Sequence, residues 1–333
     1  MVNRYMETAS EGTRGLFMFC TIDNDKDVDV FQALATVDRL LYQEKRARSF
    51  AGWLSKTDIK DKIYKGLKEG ECIMERLGFI GMGNMAQALC AGFVNSGKIA
   101  AESVYAYAPH YDKLVKNSEK YGFTPCKTLA ELVDAVDTVI MACKPYQIND
   151  VLVEIGERLH GKALVSVAAG WDFKKYSEYF DSSVRVQFVM PNTPAMVYEG
   201  VMLFEAQNSL EEEERIQIKE LFAVVGIVEE LPSNLMGIGG AVTGCGPAFV
   251  DLFIEGYADA AVKYGVPRQT AYRLISQMIL GSAKLQLETG EHPGVLKDNV
   301  CSPAGTTICG VASLEESGLR SACIKSIDAI MNK

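Results

Sequence analysis

The sequence predicts an α/β fold in which a doubly wound, mostly parallel sheet is followed by an all-helical region. From residue 75 to about residue 232, short apolar or β-branched runs alternate with amphipathic helical stretches, a pattern typical of successive strand–helix–strand units. From residue 234 onward the strand signals stop, and the helical stretches are rich in Ala, Gly and Ser, which let helices pack closely. The chain has 333 residues, which is enough for two ordinary domains.

The predicted elements follow one another in a regular order. Strands are expected at residues 77–80, 104–108, 138–142, 163–168, 184–189, 201–204 and 227–231. Helices between them are expected at residues 85–94, 112–121, 148–159 and 210–224. In the helical region they are expected at residues 247–264, 267–289 and 310–331, with turns at 265–267 and 292–294. The pattern predicts domains at residues 74–233 and 234–333.

Residues 1–73 differ in texture from both of these domains. A strand-like stretch at residues 16–22 and an acidic run at 23–29 precede helical periodicity, and no motif there suggests chemistry. We expect an N-terminal extension whose role the sequence does not reveal.

Composition and charge exclude several classes of protein. Hydrophobic residues make up 48% and charged residues 23% of the chain, which excludes disordered and low-complexity classes. No run of about 18 apolar residues is present and the N-terminus does not resemble a secretory signal, so no membrane partner is expected. The net charge of -9 argues against a nucleic-acid partner.

The cysteines and histidines indicate the compartment. Nine cysteines are scattered without a C-x-x-C pair, and the chain has three histidines. Neither a disulfide framework nor a metal site is expected from this pattern. Scattered cysteines suit a reducing environment, so a cytoplasmic location is expected.

A glycine-rich turn stands between the first predicted strand and the first predicted helix. It reads G-x-G-x-x-A at Gly81, Gly83 and Ala86. In this motif the first glycine makes the tight turn, the second lets the backbone approach a pyrophosphate, and the third small residue keeps helix and strand close. The free N–H groups of the helix N-terminus then face the phosphates. A Rossmann-type dinucleotide site is therefore predicted, the alternative being a glycine turn that binds nothing.

The end of the second predicted strand bears on the choice of nicotinamide cofactor. NAD-binding folds usually place an acidic residue here, on the ribose hydroxyls. Residues 105–110 contain no acid, whereas His110 and Lys113 are positioned to face a 2′-phosphate. NADPH is therefore the expected cofactor and NADH the alternative. In that alternative His110 is an exposed residue in the first turn of a helix.

Two further strand ends carry candidate cofactor contacts. Lys144, in the segment MACKP at residues 141–145, follows a strand at the edge where such sheets bind ligands, and Pro145 ends that strand abruptly. The segment VAAG at residues 167–170 ends the next strand with small residues. These residues either leave room for a nicotinamide ring or only allow close helix packing.

A segment of the helical region is a candidate anion site. Ser302 is expected as a helix N-cap and Pro303 as the first helical residue, and the two small residues that follow leave N–H groups uncovered. Such a helix N-terminus suits a carboxylate, and two threonines add hydroxyls. The alternative is an ordinary capped helix. Residues 243–247 are expected to form a similar turn at the start of the helical region, where the glycines have close packing as an alternative role.

Together these motifs resemble the pyrroline-5-carboxylate reductase family. The resemblance covers residues 76–331 and rests on separate segments that read GFIGMGNM, MACKP, VAAG, MPNTP, AVTGCGPAF and HPGVLKDNVCSPAGTTI. The last segment, at residues 292–308, is the most specific. The resemblance implies reduction of the cyclic imine Δ1-pyrroline-5-carboxylate to L-proline by hydride transfer from NAD(P)H. It also implies that the helical region is a dimerisation domain, that the chain forms a homodimer or a ring of dimers, and that substrate lies between the two kinds of domain.

The resemblance also assigns site residues by position. Cofactor contacts are expected from Gly81, Met82, Gly83, Asn84, Met85, Ala108, His110, Ala142, Cys143, Lys144, Val167, Ala168, Ala169 and Asn299. Substrate contacts are expected from Val300, Ser302, Ala304, Gly305, Thr306 and Thr307. Thr307 is the expected catalytic residue, through a hydrogen bond to the ring nitrogen.

The chain departs from the family pattern at four places. Ala108 stands where many members have Ser, which removes a hydroxyl for a 2′-phosphate and weakens the expectation of NADPH. Cys245 replaces a usual Ser, and Ala304 replaces a common Gly, which we expect to be a mild change. Residues 126–129 lack the Asn that many members place near the adenosine.

Two other functions are compatible with a dinucleotide-binding fold. A β-hydroxyacid dehydrogenase-like oxidoreductase needs a lysine on the helix after its glycine turn, but the segment from Pro247 has none before Lys263. A non-catalytic dinucleotide-binding regulator has no need of the Thr307 segment.

Overall fold

The structure is a computed structural model that describes residues 75–181 and 183–333. The N-terminal extension expected at residues 1–73 lies outside these residues, as does the strand expected at 16–22. In the described part of the chain, eight strands form one sheet. They are β1 (Leu77–Ile80), β2 (Val104–Tyr107), β3 (Thr124–Pro125), β4 (Thr138–Met141), β5 (Ala163–Ser166), β6 (Arg185–Met190), β7 (Gly200–Glu205) and β8 (Gly226–Leu231).

The strand order is β3-β2-β1-β4-β5-β6-β7-β8. Strands β1 to β6 run parallel, β7 runs antiparallel to β6, and β8 runs parallel to β7. The order reverses between β1 and β4, and open sheets of this kind bind ligands at such a switch point, beyond the carboxyl ends of the strands. The prediction of a doubly wound, mostly parallel sheet is confirmed.

Six helices belong to the sheet-forming half of the described chain. They are α1 (Asn84–Asn95), α2 (Tyr111–Tyr121), α3 (Leu129–Ala135), α4 (Ile148–Ile155), α5 (Phe173–Tyr176) and α6 (Glu212–Phe222). Every residue of β1, β4 and β5 is buried, because helices cover both faces of the sheet. On one face Phe222 meets Phe93 and Phe204 edge-on, with ring centroids 5.2 and 5.5 Å away. Trp171 and Tyr176 lie in the core of the other face.

The sequence patterns miss β3 and the short helices α3 and α5. Helix α3 begins after the N-cap Thr128, whose Oγ1 accepts from the N–H of Glu131, and Glu131 Oε2 accepts from the N–H of Lys127, the residue before the cap. The sequence Thr-x-x-Glu signals such a capping box and was sufficient to find this helix. Strand β3 has two residues, which is too short to show an alternating pattern.

The chain beyond β8 is all-helical, as predicted. Its helices are α7 (Ser233–Lys263), α8 (Arg268–Thr289), α9 (Pro293–Asn299), α10 (Thr306–Glu316) and α11 (Leu319–Met331). The single helix expected at residues 310–331 is two helices, because Gly318 at φ 75° takes a left-handed conformation between them. The turn expected at 292–294 instead starts α9, where His292 Nδ1 accepts from the N–H of Gly294 at 3.0 Å.

The prediction that a helix starts at Pro247 is wrong. Helix α7 begins fourteen residues earlier, at Ser233, and passes through Pro247. The turn expected at residues 243–247 is therefore helical backbone. Proline usually ends a helix because it lacks an N–H and crowds the carbonyl of residue i−4, so its presence here requires a compensating contact.

Helix α7 has an unusually apolar and uncovered surface. Among the described residues it is long and apolar enough, by length and composition alone, to cross a membrane, and 11% of its most apolar 18-residue window is buried. The absence of a membrane span therefore remains a prediction. The helices around it are similarly uncovered. Exposed large apolar residues in this region are Leu235, Val242, Phe249, Val250, Leu252, Leu274, Met278, Leu280, Leu285, Leu287, Val295, Val300, Ile308, Ile324 and Met331.

Candidate active site

The glycine-rich turn joins β1 to α1 at the switch point of the sheet. Gly81 has φ 95°, a left-handed conformation that favours glycine. A Cβ at Gly81 would lie 2.7 Å from the backbone N of Cys143 and 2.8 Å from the carbonyl of Ala142. The first glycine thus allows the end of β1 to touch the end of β4.

Gly83 serves the site differently from Gly81. It is the N-cap of α1, with no side-chain cap, so the first N–H groups of the helix stay open. A Cβ at Gly83 would meet no atom within 4 Å, so the fold itself leaves this position free. Open N–H groups at the start of a twelve-residue helix suit a phosphate.

A cavity of about 380 Å³ opens beside this turn, beyond the carboxyl ends of β1, β2 and β4. It brings together eight of the expected cofactor residues, which are Gly81, Met82, Gly83, Ala108, His110, Ala142, Cys143 and Lys144. Tyr107, Asn117 and Gln147 also line it, although no sequence motif pointed to them. The open N–H groups, the shape of the cradle and the flanking cations fit a dinucleotide phosphate.

The charge around the cavity is mixed. Lys113 and Lys144 face it, and neither is in an ion pair within the described part of the chain. Asp150 and Glu154 of α4 line the cavity as well. Because the lysines flank a neutral glycine turn, an anionic ligand there gains two nearby cations.

The ends of β4 and β5 are tied together next to the cavity. The N–H of Val167 donates to Met141 O at 3.0 Å, and the indole Nε1 of buried Trp171 donates to Pro145 O at 3.1 Å. Val167, Ala168 and Ala169 therefore lie at the same edge of the sheet as Lys144, although they do not line the cavity. Burial raises the pKa of the Cys143 thiol to about 11, so at neutral pH Cys143 is a thiol and not a nucleophilic thiolate.

A second cavity of about 170 Å³ lies beside the amino ends of β4, β5 and β6, away from the switch point. Arg185 there forms two hydrogen bonds to the carboxylate of Glu214, at 2.9 and 3.0 Å. Lys162 Nζ donates to Val136 O at 2.6 Å. Because these cations already have structural partners, this cavity does not compete with the glycine turn as the cofactor site.

The expected substrate segment has a different backbone from the one predicted. Ser302 is not a helix N-cap and Pro303 is not helical. Instead the N–H of Gly305 donates to Ser302 O at 3.0 Å and closes a four-residue turn, and α10 starts after Gly305. Proline favours the second position of such a turn, which competes with its preference for the first turn of a helix.

Ala304 is the third residue of this turn and has φ 56°. A positive φ at this position is typical of a type II turn, which favours glycine. The substitution of the family's common Gly by Ala304 is therefore not mild, because an L-residue in the left-handed region costs about 1–2 kcal/mol. Gly305 cannot be replaced freely either, since a Cβ there would lie 2.3 Å from Ser302 Oγ.

Thr306 and Thr307 are the first two residues of α10, beside the open N–H groups of that helix. Both side chains are exposed, and so is Asn299 at the end of α9. None of Asn299, Val300 and residues 302–307 lines the 380 Å³ cavity, and neither do Asn84 and Met85 at the start of α1. Within one chain, the expected substrate residues are thus not part of the cofactor cavity.

The fold and the site together define the class of the protein. A Rossmann sheet with its glycine turn at the switch point, followed by an all-helical region, is the architecture of a two-domain nicotinamide-dependent oxidoreductase. A pyrroline-5-carboxylate reductase from Treponema pallidum is 39% identical over 260 residues, which are 77% of this chain and 98% of that protein. The chain belongs to the pyrroline-5-carboxylate reductase family.

Other comparisons agree with this assignment. The family description "Pyrroline-5-carboxylate reductase dimerisation" matches residues 233–333, and "NADP oxidoreductase coenzyme F420-dependent" matches residues 76–170. The Escherichia coli pyrroline-5-carboxylate reductase is 37% identical, covering 78% of this chain and 97% of that protein. The Plasmodium falciparum pyrroline carboxylate reductase, solved with NADP bound, is 32% identical with a TM-score of 0.70, covering 77% of this chain and 96% of that chain.

The predicted function is confirmed at the level of the family. The protein is an NAD(P)H-dependent pyrroline-5-carboxylate reductase of proline biosynthesis, and the description that matches residues 76–170 is that of an NADP oxidoreductase. Its substrate is a small molecule, and its dimerisation domain indicates self-association. A β-hydroxyacid dehydrogenase-like oxidoreductase and a non-catalytic regulator are therefore set aside.

Proposed function

We propose that the glycine turn and the 380 Å³ cavity hold the cofactor, and that the 302–307 turn of a second copy of the chain holds the imine. The observation that carries this proposal is the separation just described, since Thr307 and the cavity do not meet within one chain. The exposed apolar surface of α7 to α11 supports the need for a second copy, because a surface of this size is rarely left in water.

The cofactor contacts in this proposal are the fourteen assigned from the sequence. Asn84 and Met85 follow the glycine turn in α1, and Asn299 would come from the second copy together with the 302–307 turn. Val167, Ala168 and Ala169, at the end of β5, would lie beside the nicotinamide. When bound, NADPH supplies the hydride that the imine carbon accepts. The protein then has to exclude water, place the ring and stabilise the nitrogen, because a protonated imine is already electrophilic.

The substrate turn provides the other half of the proposed mechanism. The open N–H groups after Gly305 hold the substrate carboxylate, with Ser302 and Thr306 hydroxyls beside it. Val300 supplies an apolar contact for the ring. The Thr307 hydroxyl lies at the far end of the turn, and its oxygen accepts a hydrogen bond from the protonated ring nitrogen, which keeps its proton as the carbon–nitrogen double bond becomes single.

A mixed dimer tests whether each site uses two chains. Gly83→Ala impairs the cofactor side of the site and Thr307→Val the substrate side, so each homodimer is expected to be slow. In the mixed dimer, one site combines the intact cofactor turn of one chain with the intact threonine of the other. We expect purified mixed dimers, carrying two different tags, to recover about half of the activity of the unsubstituted dimer.

If each site lies within one chain, the mixed dimer contains only singly defective sites. Its turnover would then equal the mean of the two parental homodimers, and the proposed shared site would be wrong. The unsubstituted chain carrying both tags is the matched control, since it passes through the same purification.

We propose that NADPH is preferred over NADH. The end of β2 carries no acid, and His110 and Lys113 line the cavity there. Ala108 lacks a hydroxyl, so the preference in kcat/KM should be small, about tenfold, or roughly 1.4 kcal/mol. Steady-state kinetics with both cofactors measures it, and Lys113→Met should reduce the preference. A preference for NADH would show that this strand end does not bind a 2′-phosphate.

The remaining expectations form part of the same proposal. The domain division is at residues 74–233 and 234–333. The assembly is a homodimer or a ring of dimers, and the location is cytoplasmic, in keeping with a biosynthetic role. Size-exclusion chromatography with light scattering distinguishes a dimer from a ring.

A further inference from the structure

Helix α7 contains a proline where its hydrogen-bond ladder should continue. Pro247 has no N–H, so the carbonyl of Thr243, four residues earlier, lacks the donor that a helix normally supplies. A partly buried carbonyl without a donor is unfavourable, because it has lost water without gaining a partner. The rest of α7 continues for sixteen residues beyond Pro247, to Lys263, so something must compensate.

The donor for the Thr243 carbonyl comes from the side chain of Asn192, fifty-one residues before Thr243 in the chain. Asn192 Nδ2 donates to Thr243 O at 3.0 Å. Asn192 Oδ1 accepts from the N–H of Val201 at 2.8 Å, which fixes the orientation of the amide because a backbone N–H can only meet the oxygen. Asn192 is 7% exposed, so water competes little with either bond.

We propose that Asn192 is a positioning residue that takes the place of the N–H absent at Pro247 and thereby fixes the path of α7 away from the sheet. The segments MPNTP and TGCGP then act as a pair. Asn192 in the first segment supplies the amide, and Pro247 in the second leaves the carbonyl of Thr243 without a helical donor. Neither segment lines the cofactor cavity or belongs to the substrate turn.

The contacts of α7 before Thr243 show what the bond holds in place. A Cβ at Gly240 would lie 2.2 Å from Met190 Sδ, and one at Gly239 would lie 2.5 Å from Leu231 Cδ1. The first half of α7 therefore packs directly on the sheet. Beyond Pro247, Ala258 is the one buried residue of α7 within the described chain. The Asn192 bond lies where the helix passes from the packed half to the uncovered half.

The consequence for catalysis rests on the proposed shared site. If the uncovered half of α7 meets a second copy, its direction determines where the Thr307 turn of that copy stands relative to the cofactor. A small error in that direction displaces the imine from the nicotinamide without altering the cavity that binds the cofactor. Catalysis is sensitive to such misplacement, because the reacting atoms must approach within about 3–3.5 Å.

The test is a double-mutant cycle with Asn192→Asp and Pro247→Ala. Asn192→Asp keeps the acceptor for Val201 but removes the donor to Thr243. Pro247→Ala gives residue 247 an N–H of its own, so Thr243 O no longer depends on Asn192. The matched control is Asn208→Ala, because the Asn208 amide also makes two hydrogen bonds, to Ala206 O and from the N–H of Leu210, within one loop.

We expect Asn192→Asp to lower kcat/KM for the imine about tenfold, the loss of one hydrogen bond to a partly buried carbonyl. The Kd for NADPH, measured by titration, should change less than about twofold. In the Pro247→Ala background, the same substitution should cost little in turnover and in the midpoint of thermal unfolding. Asn208→Ala should leave kcat/KM unchanged.

Two results would overturn the proposal. One is that the effects of Asn192→Asp and Pro247→Ala on kcat/KM and on the unfolding midpoint are additive, which means that the Asn192 amide does not compensate for the N–H missing at Pro247. The other is that NADPH affinity falls in step with turnover, which means that Asn192 only supports the fold. If Asn192→Asp alone does not fold, Pro247→Ala is compared with the double variant. A large further loss of turnover or of the unfolding midpoint in the double variant would contradict the proposed pairing of Asn192 with Pro247. The unfolding midpoints do not depend on a shared site, so failure of that proposal appears separately in the mixed dimers.

Discussion

Thr307→Val should lower kcat/KM for Δ1-pyrroline-5-carboxylate by about tenfold to hundredfold, because a hydrogen bond to the ring nitrogen in a desolvated site is worth about 1–3 kcal/mol. Valine keeps the branched shape of threonine and removes the hydroxyl. The Kd for NADPH should change little, since Thr307 does not line the cofactor cavity. Steady-state kinetics and a cofactor titration on the purified variant measure both quantities.

Thr270→Val on α8 is a suitable control, because its hydroxyl is also on a helix but outside the substrate turn. It should turn over normally. If Thr307→Val also turns over normally, the placement of the ring alone carries the reaction, and the assignment of Thr307 as the catalytic residue is wrong.

Gly81→Ala should abolish most activity and also weaken the fold. The added Cβ would lie within 2.8 Å of backbone atoms of Ala142 and Cys143, which cannot rotate away, and φ 95° is strained for alanine. The end of β1 must then separate from β4 at the switch point. We expect kcat/KM to fall more than about hundredfold and the unfolding midpoint to fall by several degrees, on the order of 2–4 °C per kcal/mol.

Gly83→Ala is the comparison variant for Gly81→Ala, because it should affect cofactor binding without affecting the fold. Its Cβ meets no atom within 4 Å, so the unfolding midpoint of the unliganded protein should stay unchanged. The same Cβ would stand where a pyrophosphate approaches the backbone, so the Kd for NADPH should rise at least about tenfold. Unchanged NADPH binding in Gly83→Ala would place the cofactor elsewhere. A fully stable Gly81→Ala would contradict the contact between β1 and β4.

Local sequence was sufficient for the central strands β1, β4 and β5 because they are covered on both faces. Residues 77–80, 138–141 and 163–166 are apolar or β-branched runs, with little need for alternation, and each ends near a glycine or proline. The G-x-G-x-x-A motif then placed the switch point. Helix α3 was missed although its Thr128 and Glu131 signal a capping box.

Local sequence failed at two places, one where a distant contact reverses a local preference and one where two local preferences compete. Pro247 favours a helix start, but Asn192 makes an interior position tolerable. Ser302 and Pro303 favour an N-cap and a first helical residue, but the bond from Gly305 to Ser302 selects a turn instead. The Asn192 contact joins residues fifty-one positions apart and is not visible in a window of ten residues. The turn at residues 302–305 is local, and there two preferences of proline compete, one for a turn and one for a helix start.

The candidate site shows the same limit at a larger scale. Eight expected cofactor residues meet in one cavity because they stand at the ends of neighbouring parallel strands. The expected substrate residues cluster by sequence adjacency at residues 300–307 but do not line that cavity. Under the proposed shared site, these residues meet the cofactor of a second copy, which a single chain does not contain.

The uncovered surface of α7 has a consequence for gene dosage. A newly synthesised chain buries the core around its sheet when it folds, but the apolar surface of α7 stays exposed to solvent until the chain associates with another copy. The association of two chains is second order in chain concentration, whereas proteases and chaperones act on single chains. When expression is low, a larger fraction of the newly made chains is therefore degraded before it associates. Cellular activity should therefore rise more steeply than transcript level when expression is low, and become proportional to it once pairing outpaces turnover.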